Sequence, residues 1–291
     1  MRYIAGIDGG SGFTKAVIVR QSQMDRPPVI LGRAMTRTGV NLDASAHKAL
    51  DEAAADARLE SSDISYVAAT GFGRYNISFR DIQITEITSG ARGAFYLEPN
   101  ATLMLDIGSQ STRAVSLREG GRVRAFKTND KCAAGSGSFI QRAAKYLEIE
   151  IGEVGELALR ATNPQPISSV CAVLAESEII NLVSTGSSVE DITRGIYDSL
   201  ADRAALLLKR VESHERPGVA QQIAGASEAE RRQTPLLAFI GGVATHRGMV
   251  EALKNRLEID VTVPGDCQYA CAVGAALLGL KRLASNGREQ N

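Results

Sequence analysis

Tyr3-Ile4-Ala5-Gly6-Ile7-Asp8-Gly9-Gly10-Ser11-Gly12-Phe13-Thr14-Lys15 and Leu103-Met104-Leu105-Asp106-Ile107-Gly108-Ser109-Gln110-Ser111-Thr112-Arg113 are one unit written twice. Each is an apolar strand run that ends in an aspartate, turns on glycine and leaves as a second strand carrying a cation. Further strand runs follow each copy, at Val29 to Ala34 and Val123 to Lys127. An internal duplication of this length implies two domains of similar fold facing each other. Helical spacing over Ala46–Ala57, Phe139–Leu147, Leu174–Val183 and Ile192–Val211 alternates with the strands, so the class is α/β.

Composition bounds the rest. The chain has 291 residues, which suggests about two domains with their own cores. Apolar residues make up 44% and charged residues 23%, and 33 basic residues balance 33 acidic ones, so nothing electrostatic calls for nucleic acid or an anionic membrane. Met1 runs straight into a strand pattern without a signal segment, and no stretch approaches the roughly 18 apolar residues of a membrane span. The expected location is the cytoplasm, where the four cysteines, at 132, 171, 267 and 271, are not disulfides.

A third glycine turn, Gly241-Gly242-Val243-Ala244, follows the strand run Leu236–Ile240 and precedes helical spacing from Met249 to Leu257. Residues Glu212 to Pro235 are polar and read as a solvated surface excursion. The last segment, Gln268 to Leu283, is a helix rich in Ala and Gly that must pack closely on something. The expected domains are 1–100, 101–265 and a helix over 266–291 that returns to the first.

Turns of this kind suit phosphate. Gly9, Gly10 and Gly12 let the backbone approach an anion without obstruction, Ser11 and Thr14 add hydroxyls, and Lys15 reaches for the β- or γ-phosphate. Asp8 and Asp106 are placed to hold the hydrated Mg²⁺ that accompanies ATP or ADP. Phe13, Gly108 and Gln268 complete the expected nucleotide set, with Gly241, Gly242 and Val243 as the backbone surface for ribose and base. Neither a P-loop nor a Rossmann fingerprint occurs. The pattern is that of the actin, Hsp70 and sugar-kinase superfamily, with duplicated ribonuclease-H-like domains and nucleotide in the cleft between them.

Two cysteines stand apart. Cys132, in Asn129-Asp130-Lys131-Cys132-Ala133-Ala134-Gly135-Ser136-Gly137, and Cys171, in Ser168-Ser169-Val170-Cys171-Ala172-Val173, each precede a helix pattern. A helix start favours thiolate over thiol. Their separation, 171 − 132 = 39 residues, is too long for a zinc knuckle. Two thiolates do not complete an iron–sulfur cluster, although two copies of the chain would. The plainer reading makes both core filler. Cys267 and Cys271, four apart at the start of an Ala/Gly-rich helix pattern, could share one helical face and bind metal, but helix packing is the expected role. His47, His214 and His246 have no partner at ligand spacing.

The runs Asn129–Gly137, Ser168–Glu178, Ala69-Thr70-Gly71-Phe72-Gly73-Arg74, Gly241–Ala244 and Gln268–Ala276 resemble the 2-hydroxyacyl-CoA dehydratase activator and benzoyl-CoA reductase ATPase-subunit family, in order over nearly the whole chain. The resemblance implies an ATPase whose dimer holds one 4Fe-4S cluster between subunits, with Cys132 and Cys171 at the ligand positions. It implies an electron taken from ferredoxin or flavodoxin and delivered to a catalytic iron–sulfur partner that reduces a CoA thioester.

The second turn departs from the activator pattern, Asp-Ile-Gly-Gly-Gln-Asp followed by Lys: Ser109 replaces a glycine, Ser111 an acidic residue, and Arg113 follows. Together with Ala91–Pro99 this looks more like an ATPase subunit of ATP-dependent benzoyl-CoA reductase, paired with a second, homologous ATPase subunit. Asp106 and Gln110 remain to polarise or orient the attacking water, beside Asp8. Glu176 and Glu178 read as an acidic first helical turn, or as groups near ribose or cluster. The alternatives are a homodimeric dehydratase activator and a small-molecule kinase of the same fold.

Overall fold

The computed structural model describes residues 2–21, 27–129, 136–212 and 235–286. The chain divides into two compact units: Met1–Pro99 with Arg118–Val123 and Gln268–Asn291, and Asn100–Leu117 with Arg124–Cys267. The expected excursion from Glu212 to Pro235 falls, over 213–234, outside the described residues.

In the first unit, β1 (Arg2–Gly9), β2 (Phe13–Gln21) and β3 (Val29–Arg37) form an antiparallel meander, and β4 (Tyr66–Thr70) and β5 (Ile82–Gln83) add in parallel on the other side of β1. Because side chains alternate along a strand, Ala5, Ile7, Ala16 and Ile18 meet α1 (Leu42–Asp56) on one face. Ile4, Val17 and Val19 meet α8 (Ala270–Asn286) on the other. Burial on both faces makes β1 and β2 read as continuous apolar runs rather than alternating ones. The Asn41 side chain caps α1 by accepting from Ala44 N at 3.0 Å.

α8 is small-sided because two partners approach it closely. A Cβ on Gly6 of β1 would lie 2.6 Å from Ala276 N, and one on Gly274 would lie 2.7 Å from Gly93 N of α2 (Glu86–Leu97). Residues 118–123 pack against α2 as well, with Arg92 donating to Gly120 O at 2.6 Å.

The second unit repeats the sheet. Its strands β6 (Leu103–Ile107), β7 (Thr112–Arg118), β8 (Arg122–Asn129), β9 (Leu236–Ile240) and β10 (Asp260–Thr262) run β8-β7-β6-β9-β10, the same arrangement as β3-β2-β1-β4-β5. Helices α3 (Gly137–Tyr146), α4 (Val154–Ala158), α5 (Ala172–Ser184), α6 (Val189–Glu212) and α7 (Arg247–Arg256) supply its core. Leu105, Ile107, Phe139, Ile140, Tyr197, Phe239 and Leu253 are buried there. Tyr197 of α6 keeps its phenol satisfied against His246 Nδ1 at 2.7 Å, just ahead of α7. Among the described residues no helix is long and apolar enough to cross a membrane.

Replacing Gly274 by Ala forces α8 away from α2 and is expected to destabilise the chain by about 1–3 kcal/mol or more, read as a fall in thermal midpoint. Burial holds the His246 imidazole below its ordinary pKa. As pH falls from 7.5 to 5 the unfolded chain therefore takes up a proton that the folded chain resists, and stability falls. His246→Gln is expected to flatten that slope in denaturation curves taken across this range.

Candidate functional site

In the first unit, the antiparallel register sets Asp8 opposite Lys15, and Lys15 Nζ donates to Asp8 Oδ2 at 3.0 Å. The turn between them is closed by Gly10 N donating to Asp8 O at 3.0 Å. Gly10 thus contributes the absence of a Cβ rather than a phosphate-facing N–H, since a Cβ there would lie 2.6 Å from Phe13 O. Thr38 braces the turn from the end of β3: its Oγ1 donates to Gly10 O at 2.7 Å and its N–H to Gly12 O at 3.0 Å. Its hydroxyl also meets Thr14 Oγ1 at 2.9 Å. Behind the carboxylate, Gly71 has φ +90°, and a Cβ on it would lie 2.5 Å from Asp8 Oδ1. Gly73 N donates to Gly9 O at 2.8 Å, tying the 71–74 turn to the phosphate-type turn.

The second unit builds the same device. Asp106 stands opposite Arg113, whose Nη1 donates to Asp106 Oδ2 at 2.8 Å. Gly241, with φ +92°, backs it, and a Cβ there would lie 2.5 Å from Asp106 Oδ1. Gly241 is therefore the counterpart of Gly71, one positive-φ glycine behind each buried aspartate. Gly108 N closes its turn on Ser111 O at 2.9 Å. Gln110 is exposed, Gly242 is exposed with open space where a Cβ would stand, and Val243 is buried. Gly241 N donates to Cys267 O at 3.0 Å, which sets the residue before Gln268 beside this turn.

The structure thus groups Asp8, Gly10, Ser11, Gly12, Phe13, Thr14 and Lys15 in one unit, and Asp106, Gly108, Gln110, Gly241, Gly242 and Val243 in the other. Thr38 is a brace that sequence reasoning missed, because only the β2–β3 pairing brings it to the turn. Gly71 was visible as part of a motif, and its position behind Asp8 was not.

Helix α3 starts on the second turn. Gly137 N donates to Gly108 O at 2.9 Å and Ser138 N to Ser109 O at 2.8 Å, so two of the helix's unpaired first-turn donors are satisfied by turn carbonyls. Cys132, just upstream, lies outside the described residues. Cys171 is half-buried at the N-terminal boundary of α5, in extended conformation with φ −142° and ψ 135°. Around it Val170, Val173 and Leu174 are 79%, 69% and 54% exposed. A soft, half-buried thiol at a helix start, beside exposed apolar side chains, fits one ligand of an iron–sulfur cluster.

Glu176 and Glu178 lie beyond the first turn of α5, which contains no acidic residue. Instead Glu176 pairs with Arg142 and accepts from Tyr146 Oη at 3.2 Å, while Glu178 accepts from Ser168 N at 2.6 Å and fixes the segment before Cys171. Cys267 and Cys271 are buried, and among the described residues no group of three or more His, Cys, Asp or Glu side chains is placed to hold a metal ion.

The activator of lactoyl-CoA dehydratase from Anaerotignum propionicum is 38% identical over 275 residues, covering 94% of this chain and 96% of its own length. A benzoyl-CoA reductase subunit from Thauera aromatica is 36% identical, covering 100% of this chain and 98% of its own. Among solved structures, the activator of 2-hydroxyisocaproyl-CoA dehydratase from Clostridium difficile with bound ADPNP superposes with a TM-score of 0.82 at 32% identity, covering 99% of this chain and 97% of that one. The fold is the duplicated actin/Hsp70/sugar-kinase-like fold. With a family model matched over residues 5–279, the chain belongs to the BadF/BadG/BcrA/BcrD ATPase family.

Proposed function

We propose that this chain is an ATP-hydrolysing subunit that drives single low-potential electrons into a partner enzyme acting on CoA thioesters. The observation that carries the reading is the coexistence of two features in one chain: a buried aspartate on a glycine turn, built twice, and a half-buried thiol at the head of an apolar helix. A small-molecule kinase has no use for the second.

Bound MgATP supplies the free energy of phosphoryl transfer, and a bound 4Fe-4S cluster carries electrons one at a time. The residues of this chain do the holding. Asp8 and Asp106, each with one carboxylate oxygen engaged by Lys15 or Arg113, would be the groups to hold the hydrated magnesium that accompanies nucleotide. Gly10, Ser11, Gly12, Phe13, Thr14, Lys15 and Gly108 take the phosphate chain. Gly241, Gly242, Val243 and Gln268 take ribose and base, and Gln110 orients water. Cys132 and Cys171 supply two ligands, and the matching pair comes from a second homologous ATPase subunit or a second copy of this chain.

Covering Val173, Leu174, Ile180 and Val183, which are 45–69% exposed, would support that pairing, each contributing about half of the roughly 1.5–3 kcal/mol of a full aliphatic burial. The electron donor is of the ferredoxin or flavodoxin class, and the setting is the reducing cytoplasm. Ser109, Ser111 and the 36% identical Thauera relative favour a benzoyl-CoA reductase. The 38% identical lactoyl-CoA relative favours a separable dehydratase activator. Anaerobic co-purification decides: a stable complex with catalytic iron–sulfur subunits marks the first, and a chain that purifies alone or with its own kind marks the second.

Asp8→Asn is expected to lower ATP turnover by about 10²-fold or more while iron content stays at the wild-type level. Gly241→Ala, which drives a Cβ toward Asp106, is expected to lower turnover likewise. Cys171→Ser is expected to lose the iron, about four atoms per pair of ATPase subunits, and to keep nucleotide affinity within about twofold. Iron and sulfide analysis, electron paramagnetic resonance and a phosphate-release assay read all three. An iron-free wild-type chain that transfers phosphate to an acceptor would establish the kinase instead.

A further inference from the structure

A continuous set of contacts inside the second unit joins the 108–111 turn to Cys171, and it runs through side chains that the nucleotide and thiolate roles leave unused. Gly108 and Ser109 receive the first N–H groups of α3 at 2.9 and 2.8 Å, so a shift of that turn moves the start of the helix. A Cβ on Gly137 would also lie 3.3 Å from Val243 Cγ2, so the head of α3 sits against the Gly241–Val243 turn as well. Phe139, Ile140, Ala143 and Ala144 bury the inner face of α3 and make it a stiff lever.

One and two turns along, Arg142 and Tyr146 both grip Glu176. Arg142 Nε forms a hydrogen-bonded ion pair with one carboxylate oxygen, and Tyr146 Oη donates to the other at 3.2 Å. The carboxylate pushes the Tyr146 phenol above its ordinary pKa, as expected of a phenol donating to an anion. Glu176 lies on α5, five residues after Cys171. Besides that clamp the helix packs on α3 and α6, with Ala175 and Ile179 buried in the core of the unit and Leu182 half-buried against it. Ser168 N to Glu178 then fixes the stretch leading into Cys171 from the same helix.

We infer that the Arg142–Glu176–Tyr146 cluster is the mechanical link through which nucleotide at the 108–111 turn repositions the thiolate-bearing head of α5. The three side chains are positioning residues, acting through α3 and α5. The inference rests on the nucleotide reading of that turn. Removing a coupling element should leave both sites intact and separate their responses.

Hydrogen–deuterium exchange on the full chain, with and without MgADP, reads each segment separately. In the wild type, MgADP is expected to change protection over both 137–146 and 168–184. In Glu176→Gln and in Arg142→Met, the change over 137–146 persists, and that over 168–184 shrinks by at least about fivefold, the lower end of usual inter-site coupling. Tyr146→Phe gives a partial loss, and the swap Arg142→Glu with Glu176→Arg restores part of the response. In the reconstituted subunit pair, Glu176→Gln keeps wild-type iron and loses the MgADP-dependent change in the paramagnetic spectrum. An undiminished response over 168–184 in Glu176→Gln overturns the inference. So does fast exchange there without nucleotide together with lost iron, which would make the cluster a fastener of α5 alone. If MgADP changes neither segment in the wild type, the nucleotide reading itself fails and the link falls with it.

Discussion

Two carboxylates buried at strand ends are the constraint on which the rest of this protein depends. Asp8 and Asp106 are 7% and 4% exposed, and a buried carboxylate is tolerable only when paired and hydrogen-bonded. The partner cation in each unit comes from the directly opposite residue of the next strand, so the turn must have the length that brings Lys15 to Asp8 and Arg113 to Asp106. A register slip of one residue would turn the cation to the other sheet face. The closing bonds at Gly10 and Gly108, the brace from Thr38 and the positive-φ glycines at 71 and 241 all follow from that single demand. Breaking such a pair by removing the cation alone would cost about 3–5 kcal/mol, which is why the two halves keep the arrangement although one uses Lys and the other Arg.

What could be read from the sequence tracks how locally each feature is determined. The meander strands and β6 were legible because burial on both faces makes them uninterrupted apolar runs bounded by glycine. β4 was not, since Tyr66-Val67-Ala68-Ala69-Thr70 is small and short, and α2 was hidden by Gly90 and Gly93 within its period. Gly93 exists for α8, a segment some 180 residues away with which a Cβ there would clash, and no local rule exposes such a requirement. The candidate site divides in the same way. Asp8 and Asp106 announce themselves by duplication, whereas Thr38 and the backing role of Gly71 depend on strand pairings. Glu176 and Glu178 looked like charges placed for a helix dipole and proved to be tertiary fasteners.

α5 shows how the protein uses its charge. A surface helix ordinarily turns its polar residues to water. Here the two glutamates near its head are engaged with Arg142, Tyr146 and Ser168, and Val173, Leu174, Ile180 and Val183 are left outside. The face around Cys171 is therefore apolar, and burying it against a similar face would exclude water from the thiolates. The potential of an iron–sulfur centre depends on burial, nearby charge and hydrogen bonds to sulfur. Among the described residues this surface carries few charges of its own, so in the proposed pairing those terms would be set by how closely the partner face approaches.

Under the proposed function, that arrangement would give ATP something to act on. A helix buried on every side would hold its head rigidly, and nothing at a distant turn would move it at reasonable cost. Held by two buried side chains, Ala175 and Ile179, by half-buried Leu182, by packing on α6 and by a clamp to α3, α5 would on the proposed reading change its pose for a few kcal/mol, the scale on which nucleotide state distinguishes two conformations. The duplicated aspartate turns supply the rigid reference, with α3 seated directly on one of them. On the proposed reading, the lighter packing at the head of α5 and the tight packing at the carboxylates are two sides of one design, in which chemistry at a fixed site would be converted into displacement at a more loosely held one.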